Sequence, residues 1–124
     1  DAKFFNIDTN IIWKEYSNDI SDYYMDNDVF ILLSRSESFG IVYAEAMFFG
    51  LPVVCSDMPV SHEIVGKCGC ISNNPNEHVE FISKLFYDRE YYKSLSTKCS
   101  KHSRKSFTSS ENMNKTFAVY ESIK

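Results

Sequence analysis

The chain has the length and composition of one small folded domain. Its 124 residues are 44% hydrophobic, 24% charged and 15% aromatic, which excludes an intrinsically disordered segment. The net charge of −4 gives no basic surface for nucleic acid, and no apolar run approaches the roughly 18 residues of a membrane-spanning helix. We therefore expect residues 1–124 to form a single globular domain.

The four cysteines do not have the spacing of a zinc site. Cys68 and Cys70 are separated by one residue, and Cys55 and Cys99 stand alone. Structural zinc sites usually combine two C-x2–4-C pairs, or one such pair with two histidines. Free thiols are the ordinary state of cysteine in a reducing compartment. The chain is therefore expected to be cytoplasmic and to hold no metal.

The first part of the chain predicts short elements ahead of a buried strand. Asp8-Thr9-Asn10 indicates a turn, residues 11–13 are a candidate strand, and Ser17 is a candidate N-cap for a helix over residues 18–25. Asp26-Asn27-Asp28 has the D-x-D form of a metal-binding motif. It precedes the strand predicted next, whereas ligands of open α/β sheets bind at the carboxyl ends of strands. We interpret it as a polar turn.

Residues 29–56 have the pattern of one strand–helix–strand unit. Residues 29–33 are a continuous apolar run, typical of a parallel strand buried on both faces. Residues 34–40 are polar and indicate a loop, and residues 41–49 predict a helix that ends at Gly50-Leu51-Pro52. Val53–Cys55 is a second short buried strand. The predicted helix is apolar almost all round, so we expect it to be buried.

Two glutamates belong to this unit, Glu37 in the loop and Glu45 on the helix. A carboxylate on an apolar helix requires a partner or a polar cavity, because an isolated buried charge is very costly. The N-terminus of the helix offers free backbone N–H groups and the positive end of the helix dipole, which together form a seat for phosphate. Gly40 permits close approach of an anion, and Glu45 follows Ile41 by one turn. We expect Glu45 to accept hydrogen bonds from sugar hydroxyls beside a bound phosphate.

The remainder of the chain predicts a third strand and further helices. In chain order the predicted elements are a short helix over residues 62–65, a strand at Gly69–Ile71, an amphipathic helix at Pro75–Tyr87 with Val79, Ile82, Leu85 and Phe86 on its apolar face, a helix over residues 88–104 capped by Asp88, and a final helix after Ser109 or Ser110. The order of strands and helices predicts an α/β fold, with a parallel Rossmann-like sheet flanked by helices.

The segment around the two glutamates resembles the paired-glutamate motif of GT-B-type retaining glycosyltransferases of family four, or group 1. The sequence Glu37-Ser-Phe-Gly-Ile-Val-Tyr-Ala-Glu45-Ala-Met is followed by Gly50-Leu-Pro-Val-Val, and Glu63-Ile-Val-Gly66 is similar as well. The resemblance covers approximately residues 11–120. It implies that the chain is a fragment of the C-terminal, nucleotide-sugar-binding domain of a GT-B enzyme.

The resemblance also implies an activity for the intact parent. Such an enzyme would transfer a hexose from a nucleotide sugar to a glycan or lipid-linked acceptor, with retention at the anomeric carbon, in polysaccharide or lipopolysaccharide biosynthesis. The acceptor would bind through an N-terminal domain that lies upstream of Asp1 in the family, so the isolated chain is expected to be inactive. Peripheral contact of the parent with the inner membrane face is a further expectation.

The resemblance assigns roles to the residues of the motif. Glu37 would be catalytic, contacting hydroxyls of the donor sugar, and Glu45 would bind the ribose. The donor-binding residues would be Ser38, Phe39, Gly40, Ile41, Val42 and Glu45. Neither a catalytic metal nor a cofactor is expected, because the helix dipole and basic side chains offset the charge of the leaving diphosphate. We expect Glu37, Gly40 and Glu45 to line one cleft at the carboxyl edge of the sheet.

Two alternatives remain open at this point. Sugar-nucleotide epimerases and glucan phosphorylases use a similar GT-B architecture. A non-catalytic interaction domain with a decayed site is the second alternative, and the intact pair of Glu37 and Glu45 argues against it.

Overall fold

A computed structural model describes residues 8–17 and 20–107 of the chain. This part forms an α/β domain in which a parallel sheet is flanked by helices, and the predicted fold class is confirmed. The elements, in chain order, are a 3-10 turn at Asp8–Asn10, α1 Ser21–Met25, β1 Phe30–Leu32, α2 Ile41–Phe48, β2 Val53–Cys55, α3 Pro59–Ile64, β3 Gly69–Ile71, α4 Pro75–Tyr87 and α5 Arg89–Ser106. No helix within this part is long and apolar enough to cross a membrane.

The strands are arranged in the order β1-β2-β3. The central strand β2 is buried along its whole length, as predicted for Val53–Cys55. Val53 is in register with Phe30 on one side and with Gly69 on the other. A side chain at position 69 would overlap the carbonyl group of Val53. Pairing of β2 with β3 therefore requires glycine at this position.

We expect Gly69→Ala to destabilise the domain more than Gly66→Ala does. The added methyl group at position 69 meets the backbone of β2, and such overpacking costs about 3 kcal/mol. Gly66 has a left-handed φ of +53°, but a Cβ there would meet only the carbonyl oxygen of His62 at an ordinary contact distance of 3.9 Å, so alanine carries only backbone strain of about 1 kcal/mol. Urea unfolding of both variants measures the difference. Equal midpoints would contradict the close approach at Gly69.

The strand β1 differs from its prediction in burial. Phe30 and Leu32 are half-buried and pack against the core, but Ile31 is 52% exposed. The prediction of burial on both faces is therefore wrong for β1. The described elements leave the face of Ile31 uncovered, and among them only β2 pairs with this strand.

The helix α2 packs against α5 through small side chains. The hydroxyl of Ser103 donates a hydrogen bond of 2.7 Å to the carbonyl oxygen of Ala44, and that of Ser100 donates one of 3.2 Å to the carbonyl oxygen of Phe48. Gly50 follows α2 with a φ of +85°, and a Cβ there would lie 2.8 Å from the Ser96 hydroxyl oxygen. These contacts fix α2 closely along α5.

The helix α2 is only half-buried, so the prediction of a fully buried helix is wrong. Tyr43, Ala46 and Met47 are buried, whereas Ile41 and Phe48 are exposed. The reason is that α5 and the sheet cover part of the helix surface, while another part lines an open cavity. This open side carries the candidate site.

The two long helices begin where the sequence predicts, and each has a side-chain N-cap. The Asn74 side chain accepts a hydrogen bond of 3.0 Å from the backbone N–H of Asn76 at the start of α4. Asp88 accepts one of 2.9 Å from the N–H of Tyr91 at the start of α5, which confirms Asp88 as a cap.

The buried face of α4 is rotated relative to the prediction. Leu85 is buried as expected, but Val79 and Phe86 are 62% and 72% exposed. His78 is turned inwards instead, with its ring nitrogen Nε2 2.8 Å from the carbonyl oxygen of Ser72. This contact satisfies a polar group that would otherwise be buried without a partner.

Several smaller predictions differ from the structure or lie outside it. Residues 11–13 form no strand, and Ile12 and Trp13 are exposed. The helix α1 begins at Ser21, and positions 18 and 19 of the longer predicted helix lie outside the described residues. The helix α3 begins at Pro59 rather than at position 62, since proline suits the first position of a helix. The helix predicted after Ser109 lies outside the described residues.

Candidate functional site

The loops that follow the three strands lie at one edge of the sheet, as parallel pairing requires. The loop of residues 33–40 connects β1 to α2. The backbone N–H of Asp57 donates a hydrogen bond of 3.0 Å to Asn73 Oδ1, which joins the loops after β2 and β3. Asp26 and Asp28 precede β1, so they lie at the other end of that strand, in agreement with their interpretation as a turn.

The N-terminus of α2 begins after a glycine and has no side-chain cap from it. Gly40 is its N-cap residue, with a left-handed φ of +61°, and makes no side-chain cap hydrogen bond. A Cβ on Gly40 would lie 2.8 Å from the ring of Tyr43 and 3.3 Å from Val60, so the position requires glycine. The N–H groups of Ile41 and Val42 belong to the first turn, where a helix offers no backbone acceptor. Their cap residue, Gly40, has no side chain to accept hydrogen bonds from them.

Glu45 lies one turn further along α2 and lines a cavity of approximately 560 Å³. The carboxylate is half-buried, and its Oε2 accepts a hydrogen bond of 3.1 Å from the hydroxyl of Tyr24 on α1. The cavity lies between α1, α2 and the ends of α3 and α5, and its lining residues are Ile20, Ser21, Tyr24, Phe39, Gly40, Ile41, Ala44, Glu45, Phe48, Phe49, Ile64, Ser103 and Phe107.

The contact between Tyr24 and Glu45 has an electrostatic consequence. Burial, and in second place the charge of Glu45 with its hydrogen bond, raises the pKa of Tyr24 to about 12. The hydroxyl therefore keeps its proton at neutral pH and acts as a donor to the carboxylate. Sequence reasoning did not identify Tyr24, which is separated from Glu45 by 21 positions.

Glu37 lies in a second hollow, of approximately 500 Å³. It is half-buried, and its Oε2 accepts a long hydrogen bond of 3.5 Å from the hydroxyl of Ser34. The hollow is lined by the loop before α2 and by the start of α3, through Arg35, Ser36, Glu37, Ser38, Met58, Pro59, Val60 and Glu63. A cation and two carboxylates therefore face the same space.

The structure divides the expected single cleft into two neighbouring hollows. Gly40 and Glu45 line the first, whereas Glu37 lines the second. Ser38 belongs to the second hollow and Phe39 to the first, so the loop itself separates them. Phe39 is 77% exposed and lies at the boundary between the two hollows. The side chain of Val42 packs against the core, so only its backbone belongs to the helix N-terminus.

A fully buried tyrosine packs against the end of the loop of residues 33–40. Tyr43 packs its ring beneath Gly40, and its hydroxyl lies near the equally buried Ser61 without a regular hydrogen bond. Burial raises the pKa of the Tyr43 hydroxyl, with smaller contributions from Cys55 and Glu37, and proximity to Ser61 offsets part of this rise. The position of Tyr43, three residues after Gly40, was the only sequence signal for this role.

We expect Tyr43→Phe to leave the domain as stable as before or to stabilise it by up to about 1 kcal/mol. The substitution removes a buried hydroxyl that lacks a regular hydrogen bond and keeps the ring. Tyr43→Ala should instead cost about 3–5 kcal/mol, because it leaves a cavity beneath Gly40. Thermal unfolding of both variants tests this. A loss above about 1 kcal/mol in Tyr43→Phe would show that the hydroxyl is well bonded after all.

His62 forms a surface pair and belongs to neither hollow. Its Nε2 lies 2.7 Å from Oδ1 of Asp57, and both side chains are exposed. The ring of His62 therefore lies against Asp57. The pair stands at the carboxyl edge, outside the lining of either space.

The described residues contain no group of three histidine, cysteine, aspartate or glutamate side chains that could hold a metal ion. The four cysteines are free thiols, as predicted. The thiol of Cys99 donates a hydrogen bond of 3.2 Å to the carbonyl oxygen of Cys68, and Cys55 is buried in β2. Burial raises the pKa of the Cys55 thiol, with smaller contributions from Cys70 and Asp57, and the hydroxyl of Ser61 offsets part of this rise.

The sequence matches a known family over most of its length. The model of the family described as glycosyl transferases group 1 matches residues 1–105. The chain is 34% identical over 103 residues to a glycosyltransferase of Haemophilus influenzae, with 78% of this chain and 29% of that protein covered. It is 30% identical over 96 residues to an O-antigen biosynthesis glycosyltransferase of Escherichia coli, with coverage of 77% and 27%.

A plant protein is also similar. The sulfoquinovosyl transferase SQD2 of Arabidopsis thaliana is 36% identical over 81 residues, which cover 59% of this chain and 16% of that protein. The chain thus spans less than a third of the length of each of these three relatives. The aligned residues make up 29%, 27% and 16% of their sequences, respectively.

Proposed function

Because this chain belongs to the group 1 glycosyl transferases, we propose that the full-length protein is a retaining hexosyltransferase with a nucleotide sugar as its donor. The observation that carries the proposal is the arrangement around the N-terminus of α2. Glu37 precedes that terminus, Gly40 opens it, and Glu45 lies one turn beyond it in a cavity. The three positions can contact successive parts of one extended ligand.

In this proposal the diphosphate of the donor lies at the N-terminus of α2. Gly40 has no side chain to obstruct an anion, and the N–H groups of Ile41 and Val42 point out of the first turn of the helix. The positive end of the helix dipole stabilises the negative charge that develops on the leaving diphosphate. Backbone donors held in place by the fold need no reorganisation during the reaction.

The ribose of the donor lies in the cavity with Glu45. An ionised carboxylate is an acceptor, and ribose presents two neighbouring hydroxyl donors. The Tyr24 hydroxyl donates its hydrogen bond to Oε2 of Glu45, which leaves the acceptor sites on Oε1 for the ligand. The apolar lining from Ile41, Phe48 and Phe49 suits the flat face of a nucleobase.

The hexose lies on the other side of the helix N-terminus, in the hollow with Glu37. Here the carboxylate accepts the long hydrogen bond from Ser34, and Arg35 and Glu63 line the same hollow. Hydrogen bonds from Glu37 to sugar hydroxyls orient the anomeric carbon. Their strength increases as positive charge develops on the sugar ring, so they lower the barrier more than they tighten binding.

The acceptor is proposed to be a glycan or a lipid-linked glycan of polysaccharide or lipopolysaccharide biosynthesis. One relative is named for O-antigen biosynthesis, and another transfers sulfoquinovose, as its name states. Contacts with the acceptor are proposed to come from a further domain of the full-length protein, which would act at the cytoplasmic side of the membrane.

A ligand screen separates this proposal from a phosphorylase of the same architecture. We expect UDP, GDP or ADP to shift backbone amide resonances of the chain at residues 40–42 and at Glu45. Inorganic phosphate or free glucose alone should produce much smaller shifts. Stronger binding of phosphate with glucose than of any nucleotide would favour a phosphorylase.

Substitution of the two glutamates should have different kinetic effects. In the full-length protein, Glu45→Gln should raise the KM of the donor with little change in kcat, since ribose contacts persist from ground state to transition state. Glu37→Gln should lower kcat by about 100-fold, as removal of one preorganised electrostatic partner does. Initial rates at saturating acceptor measure both constants.

The matched control for both glutamates is Glu80→Gln, an exposed carboxylate on α4 that lines neither hollow. It should leave kcat and KM unchanged, and all three variants should melt at the temperature of the parent. A loss of kcat in Glu45→Gln with normal kcat in Glu37→Gln would reverse the two roles. Unchanged kinetics in both would refute the proposed site.

We propose that the reaction needs no catalytic metal, with the dipole of α2 and cationic side chains offsetting the charge of the diphosphate. Treatment of the full-length protein with EDTA should therefore leave its kcat within about twofold of the untreated value, because the stabilisation of the transition state does not change. The control is removal of EDTA and addition of Mg²⁺ or Mn²⁺. Activity lost with EDTA and restored by either ion would overturn this part of the proposal.

A further inference from the structure

The ring of Tyr24 is fixed between two aromatic neighbours. It stacks on Phe49 with a centroid distance of 5.5 Å and an angle of 21°, and it lies tilted against Phe30 at 6.0 Å. Only 7% of the residue is exposed. Since β1 and the end of α2 hold the ring from two sides, the direction of its hydroxyl is determined by the core.

That hydroxyl meets one oxygen of the Glu45 carboxylate, Oε2, at 3.1 Å. Within residues 8–17 and 20–107, Glu45 makes no ion pair, and Tyr24 is its side-chain hydrogen-bond partner. A glutamate side chain without a partner samples several rotamers, and ordering it costs up to about 1.5–2 kcal/mol of conformational entropy. A rigid donor at Oε2 removes much of this freedom before any ligand binds.

The same contact suits Glu45 to a pair of neighbouring hydroxyl groups. With Oε2 engaged at one lone pair, Oε1 keeps its full acceptor capacity, and Glu45 lines the cavity together with Gly40 and Ile41. Tyr24 cannot act as a base here, because its pKa lies far above neutral pH. Its contribution is therefore to the orientation of another side chain.

We propose that Tyr24 is a positioning residue whose hydroxyl orients the Glu45 carboxylate to bind the ribose diol of the donor nucleotide. The inference rests on the proposed function, in which Glu45 is the ribose ligand. Tyr24 contributes to donor affinity by preorganising Glu45, and it takes no part in the chemical step. The hydroxyl of Tyr24 lowers the KM of the donor and the dissociation constant of the nucleotide, and it leaves kcat unchanged.

The test compares Tyr24→Phe with Tyr92→Phe. Both substitutions remove a tyrosine hydroxyl beside a carboxylate, since Tyr92 lies next to Asp28, but Tyr92 does not line the cavity. The probe is the tightest binder among UDP, GDP and ADP, measured by calorimetry with the full-length protein. We expect Tyr24→Phe to weaken binding roughly tenfold, the effect of losing one hydrogen bond to a charged group, and to leave kcat unchanged. Tyr92→Phe should bind as the parent does.

Two further measurements show whether Tyr24 acts through Glu45. The 2′,3′-dideoxy form of the same nucleotide should bind equally to the parent and to Tyr24→Phe, because it lacks the diol. The double variant with Glu45→Gln should bind no more weakly than Glu45→Gln alone, since the two residues act as one unit. Equal weakening for both nucleotides, or full additivity of the two substitutions, would overturn the inference.

A ligand-free measurement keeps the inference testable if Tyr24→Phe fails to fold. In Glu45→Gln, the ionisation of Tyr24, followed by NMR of its ring carbons, should occur at a lower pH than in the parent, because a neighbouring negative charge is lost. An unchanged titration would overturn the contact itself.

The outcomes also separate this inference from the function on which it rests. If Glu45→Gln weakens nucleotide binding and Tyr24→Phe does not, the positioning role is wrong and the donor site stands. If neither substitution changes nucleotide binding, the assignment of Glu45 to the ribose fails, and the positioning role fails with it.

Discussion

The contact between α2 and α5 is the constraint on which the candidate site depends. Hydroxyl groups of Ser100 and Ser103 donate to carbonyl oxygens of α2, and Gly50 allows the chain to pass close to Ser96. A bulky residue at any of these positions would push α2 outwards. Because one helix carries both Gly40 at its N-terminus and Glu45, such a shift would displace the helix N-terminus and the carboxylate together.

The side chains and the backbone of the candidate site carry charge of opposite sign. Glu37, Glu45 and Glu63 line the two hollows, and the chain as a whole has a net charge of −4. Carboxylates suit hydroxyl groups and repel phosphates, so these three carboxylates alone would disfavour a diphosphate, and Arg35 offsets part of their charge. The dipole and N–H groups of α2 act at short range between the carboxylates. The proposed donor, in which sugars alternate with phosphates, would require such an alternation of acidic side chains with a positive helix end.

Much of the fold was predictable because its signals are local. Pro75 and Asp88 mark helix starts, and Val53–Cys55 has the composition of a buried strand. The rotation of α4 was not predictable, since it depends on the contact of His78 with the Ser72 carbonyl. At the site, the motif indicated Gly40 and Glu45, and both line the same cavity. The partnership with Tyr24 depends on how α1 packs against α2, which no local pattern encodes.

The strand β1 lies at the edge of the sheet and leads directly into the loop that bears Glu37. Only one side of this strand is paired among the described residues, and Ile31 is exposed beside the open row of backbone groups. Such an edge is a template for the addition of another strand. The loop that bears Glu37 leaves directly from the end of β1, so a strand docked at this edge would restrain that loop at its root. Completion of the sheet and the position of the loop that bears Glu37 are thus mechanically coupled.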